Sequence, residues 1–567
     1  MCGIAGFLGS GAETSRRAAL GRMLQTVRHR GPDDEGTHLD VDIALGARRL
    51  AVIDLHAGRQ PIANEEETVW VVHNGEIYNF RELRGRLESR GHRFRTASDT
   101  EVIVHAYEEY GAGFLDHLDG MFALAVRDAT TRTLTLARDR MGEKPLHYYA
   151  GPGCFVFGSE LRALVAHPEV PRELSFEGLS RFLSYEYVPA PHSILAGLNK
   201  LAPGHVLTVS PGGKPRVTAY WDLSFSADAS LEEEEWERQL GRQIDASVRR
   251  VLVGDVPVGF FLSGGIDSSA IVAAAARLTG GRVRTFSVGF DEPSYDERRF
   301  ARAVAARYRT EHTEVVFTPT DARGLMDEVG GLLDEQLVDG SFLPLYVLSR
   351  EARRTVTVAL SGDGADELFC GYPTFLAGRA ARWLHYLPAW GVRMGARLAN
   401  RLPPSPRYGS AEFLLKQFFR GLPLGPAVRT QLLLGGLTAP EQSVLFAPAV
   451  RRTTGGFDPH EDLAHGMGQP IGAAPLERLI HQHWRYYLAE QNLVTVDRAS
   501  MACGLEVRAP FLDRPLVDLA GPVGLKLRRW TTKYILKRTL RDDLPSEVVH
   551  RRKQGFGVPL GPGCGGR

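Results

Sequence analysis

Two domains of different architecture are predicted: a first unit of stacked β-sheets and a second, α/β unit built on a parallel sheet. Three observations carry this. At 567 residues the chain exceeds what one hydrophobic core serves, at roughly 150 residues per domain. Up to about residue 205, short β segments alternate with turns. From about 236 onward, apolar strands run through Gly-rich turns into helices, the sequence form of parallel strands with crossover helices.

The first region reads as the segments CGIAGFLG, ALGARRLAVIDL, TVWVVHNGEIYN, MFALAVRD, TLTLARDR, LHYYA and FVFGSE. Helices are predicted only near 79–90 and 99–110, where apolar residues recur every three to four positions. A Pro- and Gly-rich stretch with Pro203, Pro211, Gly212, Gly213 and Pro215 is read as a linker over 206–235, leading into an acidic helix at 230–253. The second domain, 236–567, opens with VGFFL, the turn SGGIDSS and the helix AIVAAAARL. RVRTFSVGF, a helix from Asp296 to Tyr308, TEVVF, and TVTVAL followed by SGDGADELF continue the alternation. Beyond 370 the chain is predicted to be mostly helical.

Apolar residues make up 43% and charged residues 24%, with a net charge of +1, so bulk charge calls for neither nucleic acid nor a membrane surface. No run of 18 apolar residues and no secretory leader pattern occurs. Cys2, Cys154, Cys370, Cys503 and Cys564 are odd in number and widely spaced, without a C-x-x-C pair. A reducing, cytoplasmic location fits them best.

Cys2 follows the initiator Met1, whose removal is expected and leaves Cys2 with a free α-amine. An amine with a pKa of about 8 accepts a thiol proton at neutral pH, so a terminal cysteine carries its own base. An isolated cysteine reads better as a small buried residue; its company changes that. His73-Asn74-Gly75-Glu76 is read at a strand end, where the Asn amide and the Gly N–H point at one oxygen as an oxyanion hole. Asn-Gly alone is more often a hairpin turn. Arg49 supplies a cation for a free amino acid's carboxylate, and Asp99 an anion for its ammonium.

In the second half, Ser263-Gly264-Gly265-Ile266-Asp267-Ser268-Ser269 lies between a strand and an alanine-rich helix. Its small residues allow backbone N–H groups and hydroxyls to close around a phosphate at the helix N-terminus. The Walker A pattern is absent, which disfavours a P-loop enzyme that transfers a γ-phosphate. A second acidic turn, Ser361-Gly362-Asp363-Gly364-Ala365-Asp366-Glu367, also follows a strand. Two such turns at neighbouring strand ends mark the expected ligand crevice of an open parallel sheet. Read singly, each is a capped helix start. Asp267 offers hard oxygen ligands for Mg²⁺ beside phosphates.

MCGIAGF, RHRGPDD at 28–34, RLAVIDL, QPI at 60–62, NGEIYN, SDTE at 98–101, LDGMFALAVRD, ARDRMGEKPLHY and FGSE together resemble the class II glutamine amidotransferase domain. SGGIDSS resembles the pyrophosphate loop of the ATP pyrophosphatase family. Together with FSVGF at 286–290, Asp334-Glu335, DRASMACGLEVRAPFLD, TTKYILKR and KQGFGVPLGP it is similar to the synthetase domain of glutamine-hydrolysing asparagine synthetases. The resemblance implies an α+β N-terminal-nucleophile αββα sandwich followed by an α/β parallel-sheet domain of the adenine nucleotide alpha hydrolase type. It implies that Cys2 forms a γ-glutamyl thioester, with Asn74 and Gly75 as the oxyanion hole. Arg49, the backbone of Leu50, Ala51, Val52 and Ile53, Asn74, Gly75, Glu76 and Asp99 would hold glutamine. Leu262, Val288, Ser361 and Gly362 would cradle the adenosine of ATP, with Ser263, Gly264, Gly265, Asp267 and Ser268 around the phosphates. Asp267 and Asp366 would serve Mg²⁺, Asp363 the acyl-adenylate, and Lys533 the phosphates. A sheltered route for ammonia and a homodimer are also implied.

Three departures bear on the acceptor; in one of them, KQGFGVPLGP runs into a Gly-rich string ending at Arg567 where relatives continue with a helical stretch. The segment after Asp334-Glu335 reads Gln336-Leu337-Val338-Asp339-Gly340-Ser341 where relatives continue with Pro, and Cys370 stands where the family has glycine. Aspartate is the expected acceptor. The alternatives are another carboxylate of specialised metabolism, motivated by 336–341, and an inactive scaffold that binds glutamine or nucleotide.

Overall fold

The computed structural model describes residues 1–567 except 226–230, 281–282, 385–387, 404, 406–409, 465–472, 520–522, 556 and 558–567. Part of the expected linker, most of KQGFGVPLGP and the Gly-rich tail with Cys564 therefore lie outside the described residues.

The first domain is built from β1 (Cys2–Leu8), β2 (Asp34–Leu39), β3 (Ile43–Arg49), β4 (Ile62–Ala63), β5 (Val69–Ile77), β6 (Gly120–Asp128), β7 (Thr133–Arg138), β8 (His147–Gly151), β9 (Cys154–Gly158), β10 (Leu198–Lys200), β11 (His205–Val209) and β12 (Arg216–Ala219). They form two six-stranded sheets, ordered β10-β8-β9-β1-β3-β2 and β12-β11-β7-β6-β5-β4. All their pairings are antiparallel.

Alternation along each strand makes the layers. In β1, Ile4 and Leu8 join Leu45, Val72, Ala123, Ala125 and Leu136 in a core between the sheets, while Ala5 and Phe7 face outward onto Leu20 and Leu24 of the helix Glu13–Thr26. On the far side, Val69, Val71 and Ile77 pack against Leu83 and Leu87 of the helix Phe80–Glu88 and Val102 and Ile103 of the helix Glu101–Tyr110. The result is the expected αββα sandwich.

Two local readings are corrected. β5 does not end at Asn74; it runs on to Ile77, with Asn74, Gly75 and Glu76 paired to Ala123, Phe122 and Met121. Gly75 sits at φ 151, and a Cβ there would lie 2.0 Å from the Met121 carbonyl oxygen, so glycine lets the ladder continue at this point. The Pro- and Gly-rich stretch does not leave the first domain at 205. It makes β11 and β12 around the turn that holds Gly212, and β11 pairs with β7.

The second domain contains β13 (Val258–Phe261), β14 (Arg284–Phe290), β15 (Glu311–Phe317), β16 (Val358–Leu360) and β17 (Glu506–Arg508), in the parallel order β15-β14-β13-β16-β17. The winding runs outward from β13 to β15 and then returns to β16 on the other side of β13. The carboxyl ends of β13 and β16 therefore flank the topological switch point. Both predicted turns, after Leu262 and after Leu360, open there. Helices cover both faces; the helix Ile266–Thr279 is buried along most of its length, which its run of alanines permits. Beyond Cys370 the described chain is mainly helical.

Candidate active sites

Cys2 begins β1 opposite Arg49 of β3, facing β5 of the other sheet. Its backbone N–H donates to Asn74 Oδ1 at 3.0 Å. Asn74 Nδ2 is buried without a hydrogen-bond partner among the described residues, as expected of a donor kept for a ligand oxygen. Gln60 Nε2 donates to the Cys2 sulfur at 3.7 Å, and Gln60 Oε1 accepts from the His73 N–H at 2.6 Å. Arg49 donates to the carbonyls of Ile53 (2.8 Å) and Asp54 (2.6 Å), curling the segment of Leu50, Ala51, Val52 and Ile53 around its side chain. Asp99 Oδ2 accepts from the Ile77 N–H at 2.9 Å, which ties it to the end of β5 beyond Glu76.

Met1 is 1% exposed, and its ammonium pairs with Glu506 Oε2 of the second domain at 2.5 Å. The full-length chain thus fills the space beside Cys2. Burial pushes the Cys2 thiol above its ordinary value, so the sulfur needs a base. Burial, opposed by the Ile77 N–H, raises Asp99 to about 6; burial and then Asp99 raise Glu76 further. Burial works against Glu506 as well, but the Met1 ammonium and Arg508 hold it at about 2.

At the switch point a cavity of about 280 Å³ is lined by Leu262, Ser263, Asp267, Ser268, Val288, Ser361, Gly362, Asp363 and Asp366. Gly265 and Lys533 line a smaller neighbouring space of about 50 Å³ that shares Ser263 and Asp267. Gly264 lines neither; it has φ 70, and a Cβ would lie 2.4 Å from the Ala301 nitrogen, so it shapes the loop by letting two backbones meet. Ser268 Oγ accepts from the Ser263 N–H at 3.2 Å and closes the loop on itself.

Lys533 Nζ lies 2.6 Å from Asp267 Oδ2 and 2.6 Å from Asp366 Oδ1, and Lys553 Nζ lies 2.5 Å from Asp366 Oδ2. Burial alone would raise Asp366, but the two lysines hold it at about 2. Asp363 accepts from Ser361 Oγ at 2.6 Å and is raised by burial. Glu367 is pushed to about 8 by burial and by Asp366. Lys533 itself sits at φ 53, and Cys370 at φ 55, a left-handed position that favours the family's glycine.

Several site residues escaped the sequence reading. Gln60, Lys553 and Glu506 lie inside recognised blocks, but nothing in their local pattern singles them out. Tyr487 and Asn492 line the larger cavity from a π-wound segment, His483–Asn492, a winding frequent at functional sites. Asp334 and Glu335 are interface residues: Asp334 accepts from the N–H groups of Leu161 (2.6 Å) and Arg162 (2.8 Å), and Glu335 pairs with Lys200 at 2.5 Å. Asp339 and Ser341, from the divergent 336–341 segment, do line the cavity.

This is a glutamine amidotransferase domain of two antiparallel sheets joined to a parallel-sheet synthetase domain. The glutamine amidotransferase domain family matches residues 1–221, and the asparagine synthase family matches residues 239–563. Asparagine synthetase [glutamine-hydrolyzing] 1 of Bacillus subtilis (strain 168) is 33% identical over 566 residues, covering 99% of this chain and 87% of the relative. Asparagine synthetase [glutamine-hydrolyzing] 3 of the same strain is 30% identical over 583 residues, covering 98% and 87%. The chain belongs to the asparagine synthetase family, as a carbon–nitrogen ligase that takes its nitrogen from glutamine. Among the described residues, no helix is long and apolar enough to cross a membrane.

Proposed function

We infer that the chain converts L-aspartate, L-glutamine, ATP and water into L-asparagine, L-glutamate, AMP and pyrophosphate. The observation that carries the ATP half is Lys533 held between Asp267 and Asp366 at the switch point, two carboxylates that line the cavity of about 280 Å³.

Cleavage after Met1 turns the Cys2 amide nitrogen into an amine still 3.0 Å from Asn74 Oδ1. That amine takes the thiol proton, and the sulfur attacks the side-chain carbonyl carbon of glutamine. Asn74 Nδ2 and the Gly75 N–H hold the oxyanion; the amine returns its proton to the departing ammonia. Water then releases glutamate from the thioester. Asp99 and Glu76 take the substrate's ammonium, and Arg49 its carboxylate.

In the second site Leu262, Val288, Ser361 and Gly362 seat adenosine, and Ser263, Gly265 and Ser268 face the phosphates. Asp267 and Asp366 fit Mg²⁺, since two buried carboxylates already converge on one cation, the Lys533 ammonium. When bound, magnesium neutralises charge on the leaving pyrophosphate. The acceptor carboxylate attacks the α-phosphorus and pyrophosphate departs. Lys533 follows the negative charge as it builds, and Asp363 lies beside the adenylate. Ammonia then displaces AMP from the acyl carbon. Ammonia lost to water at neutral pH is protonated and no longer nucleophilic, so a sheltered transfer within one chain is needed. A cytoplasmic enzyme is consistent with the free cysteines Cys2, Cys154, Cys370 and Cys503.

A second reading, amidation of a different carboxylate, is favoured by Asp339 and Ser341 on the cavity wall. The test supplies purified protein with ATP, Mg²⁺, glutamine and either aspartate or a panel of other carboxylates. Asparagine, AMP and pyrophosphate in equal amounts support the first reading. Glutamate without asparagine, with AMP formed on another acid, supports the second.

A further inference from the structure

Away from both sites, three segments of the first domain bring two imidazoles and two carboxylates together. Glu65 lies in the turn between β4 and β5, His92 in the loop between the helices Phe80–Glu88 and Glu101–Tyr110, and His105 and Glu108 on the latter helix at i, i+3 spacing. One donor atom from each lies within 4.8 Å of the others. His105 Nδ1 is 3.4 Å from Glu108 Oε2 and 3.6 Å from Glu65 Oε2, and His92 Nδ1 is 3.9 Å from Glu108 Oε2.

His105 is 0% exposed, yet neither ring nitrogen has a hydrogen-bond partner among the described residues. That is costly for a polar ring unless something else occupies its lone pair. The surrounding groups are held in a way that leaves one point free. Glu108 Oε1 accepts from Asn64 Nδ2 at 2.7 Å and Glu65 Oε1 from the Arg93 N–H at 2.6 Å, so the Oε2 atom of each turns toward His105. Behind the ring, Glu101 Oε1 lies 3.7 Å from His105 Nε2 and is itself fixed by the Arg95 N–H at 2.7 Å. A carboxylate behind a ligating imidazole is the usual outer partner of a metal-bound histidine.

An imidazolium clamped by carboxylates is the competing account, and Glu101 and Glu108 do raise His105, against burial, to about 9. An imidazolium, however, donates from both nitrogens, and here both carboxylate approaches fall outside hydrogen-bond geometry. Tetrahedral zinc with bonds of about 2.0–2.2 Å separates its ligands by roughly 3.3–3.6 Å, close to the spacing of His105, Glu108 and Glu65. Two imidazoles with two carboxylates suit zinc better than magnesium or calcium, which prefer oxygen alone.

We propose that Glu65, His92, His105 and Glu108 bind one divalent cation of the zinc class, which fastens the 89–100 loop and the helix Glu101–Tyr110 to the β4–β5 turn. The site is distinct from the carboxylates at the switch point.

The full-length protein, stripped with a chelator and freed of nucleotide and magnesium, is dialysed against ZnCl₂ and its metal content counted. One zinc per chain is expected, with a rise in Tm. The H92Q/E108Q double variant, whose two changes lie at partly exposed and exposed positions, is expected to bind at least 100-fold more weakly and to lose the Tm response. Co²⁺ added to the wild-type protein gives a reading that needs no variant. The visible bands of tetrahedral nitrogen–oxygen ligation, without a thiolate charge-transfer band from Cys2, are expected. Zinc binding unchanged in the double variant, absence of binding at 100 µM zinc, or an octahedral Co²⁺ spectrum would each overturn the site and leave the cluster as an ion pair.

Discussion

Arg30 of the first domain donates to Asp497 of the second through both terminal nitrogens, at 2.7 and 3.0 Å. The same guanidinium reaches the Cys2 carbonyl through Nε at 3.3 Å and Glu160 through Nη1 at 3.0 Å. One buried side chain thus joins the Cys2 backbone to the synthetase domain.

Removing that link takes the two-pronged partner from Asp497, which keeps only the more distant Lys144 at 3.6 Å among its described ion pairs, while Glu160 keeps Arg162 at 2.9 Å. Arg30→Ala is expected to cost about 3–5 kcal/mol, read by denaturant unfolding. Asp497→Asn keeps the shape and is expected to uncouple the sites, so that glutamate released per AMP formed rises above one. A ratio held at one with unchanged stability would remove Arg30 from the coupling.

Asn74→Ala takes away the free Nδ2 and the acceptor of the Cys2 N–H together. Glutamine hydrolysis is expected to fall by about 10²–10³ in kcat, the scale of one lost oxyanion donor. Amidation driven by ammonium chloride should be unaffected. An equal fall in both activities would mean that the change damages the fold and not the hole.

Lys533→Ala removes the ammonium shared by Asp267 and Asp366 and leaves Asp366 paired with Lys553. AMP formation is expected to vanish with either nitrogen source while glutamine hydrolysis continues. Arginine should not rescue it, because a planar fork does not replace a point charge seated between two carboxylates. Calorimetry on the same variant measures the separate stability loss, about 3–5 kcal/mol.

Asp99 must be ionised to hold an ammonium. With its carboxyl raised to about 6 by burial, it is charged at pH 7 and neutral below the shifted value. The kcat/KM for glutamine is therefore expected to fall about tenfold per unit as pH drops below 6. A profile flat down to pH 5 would show that Asp99 does not carry the ammonium.

The fold was legible because short apolar segments such as CGIAGFLG are set off by turns, and because an alanine run follows the VGFFL strand and its Gly-rich turn in Ile266–Thr279. Legibility failed where context overrides a local signal. Pro and Gly at 203–215 mark a hairpin turn, since β7 offers an edge that β11 completes. Asn74-Gly75 reads as a strand end only if glycine breaks the ladder, and here β6 closes around it. In the sites, residues with motif chemistry stood out. Gln60, Arg30 and Glu506 did not, because their roles come from partners between 13 and 505 positions away. The acidity of Asp334-Glu335 serves the domain interface, whereas Asp339, five residues after Asp334, reaches the cavity.

Cys2→Ala tests the account most directly, assayed with the carboxylate that the wild-type protein amidates and with glutamine or ammonium chloride as nitrogen source. No glutamate release and no product from glutamine are expected, with AMP and amide formed from ammonium at close to the wild-type rate. Continued use of glutamine, or loss of both activities in a folded variant, would contradict it.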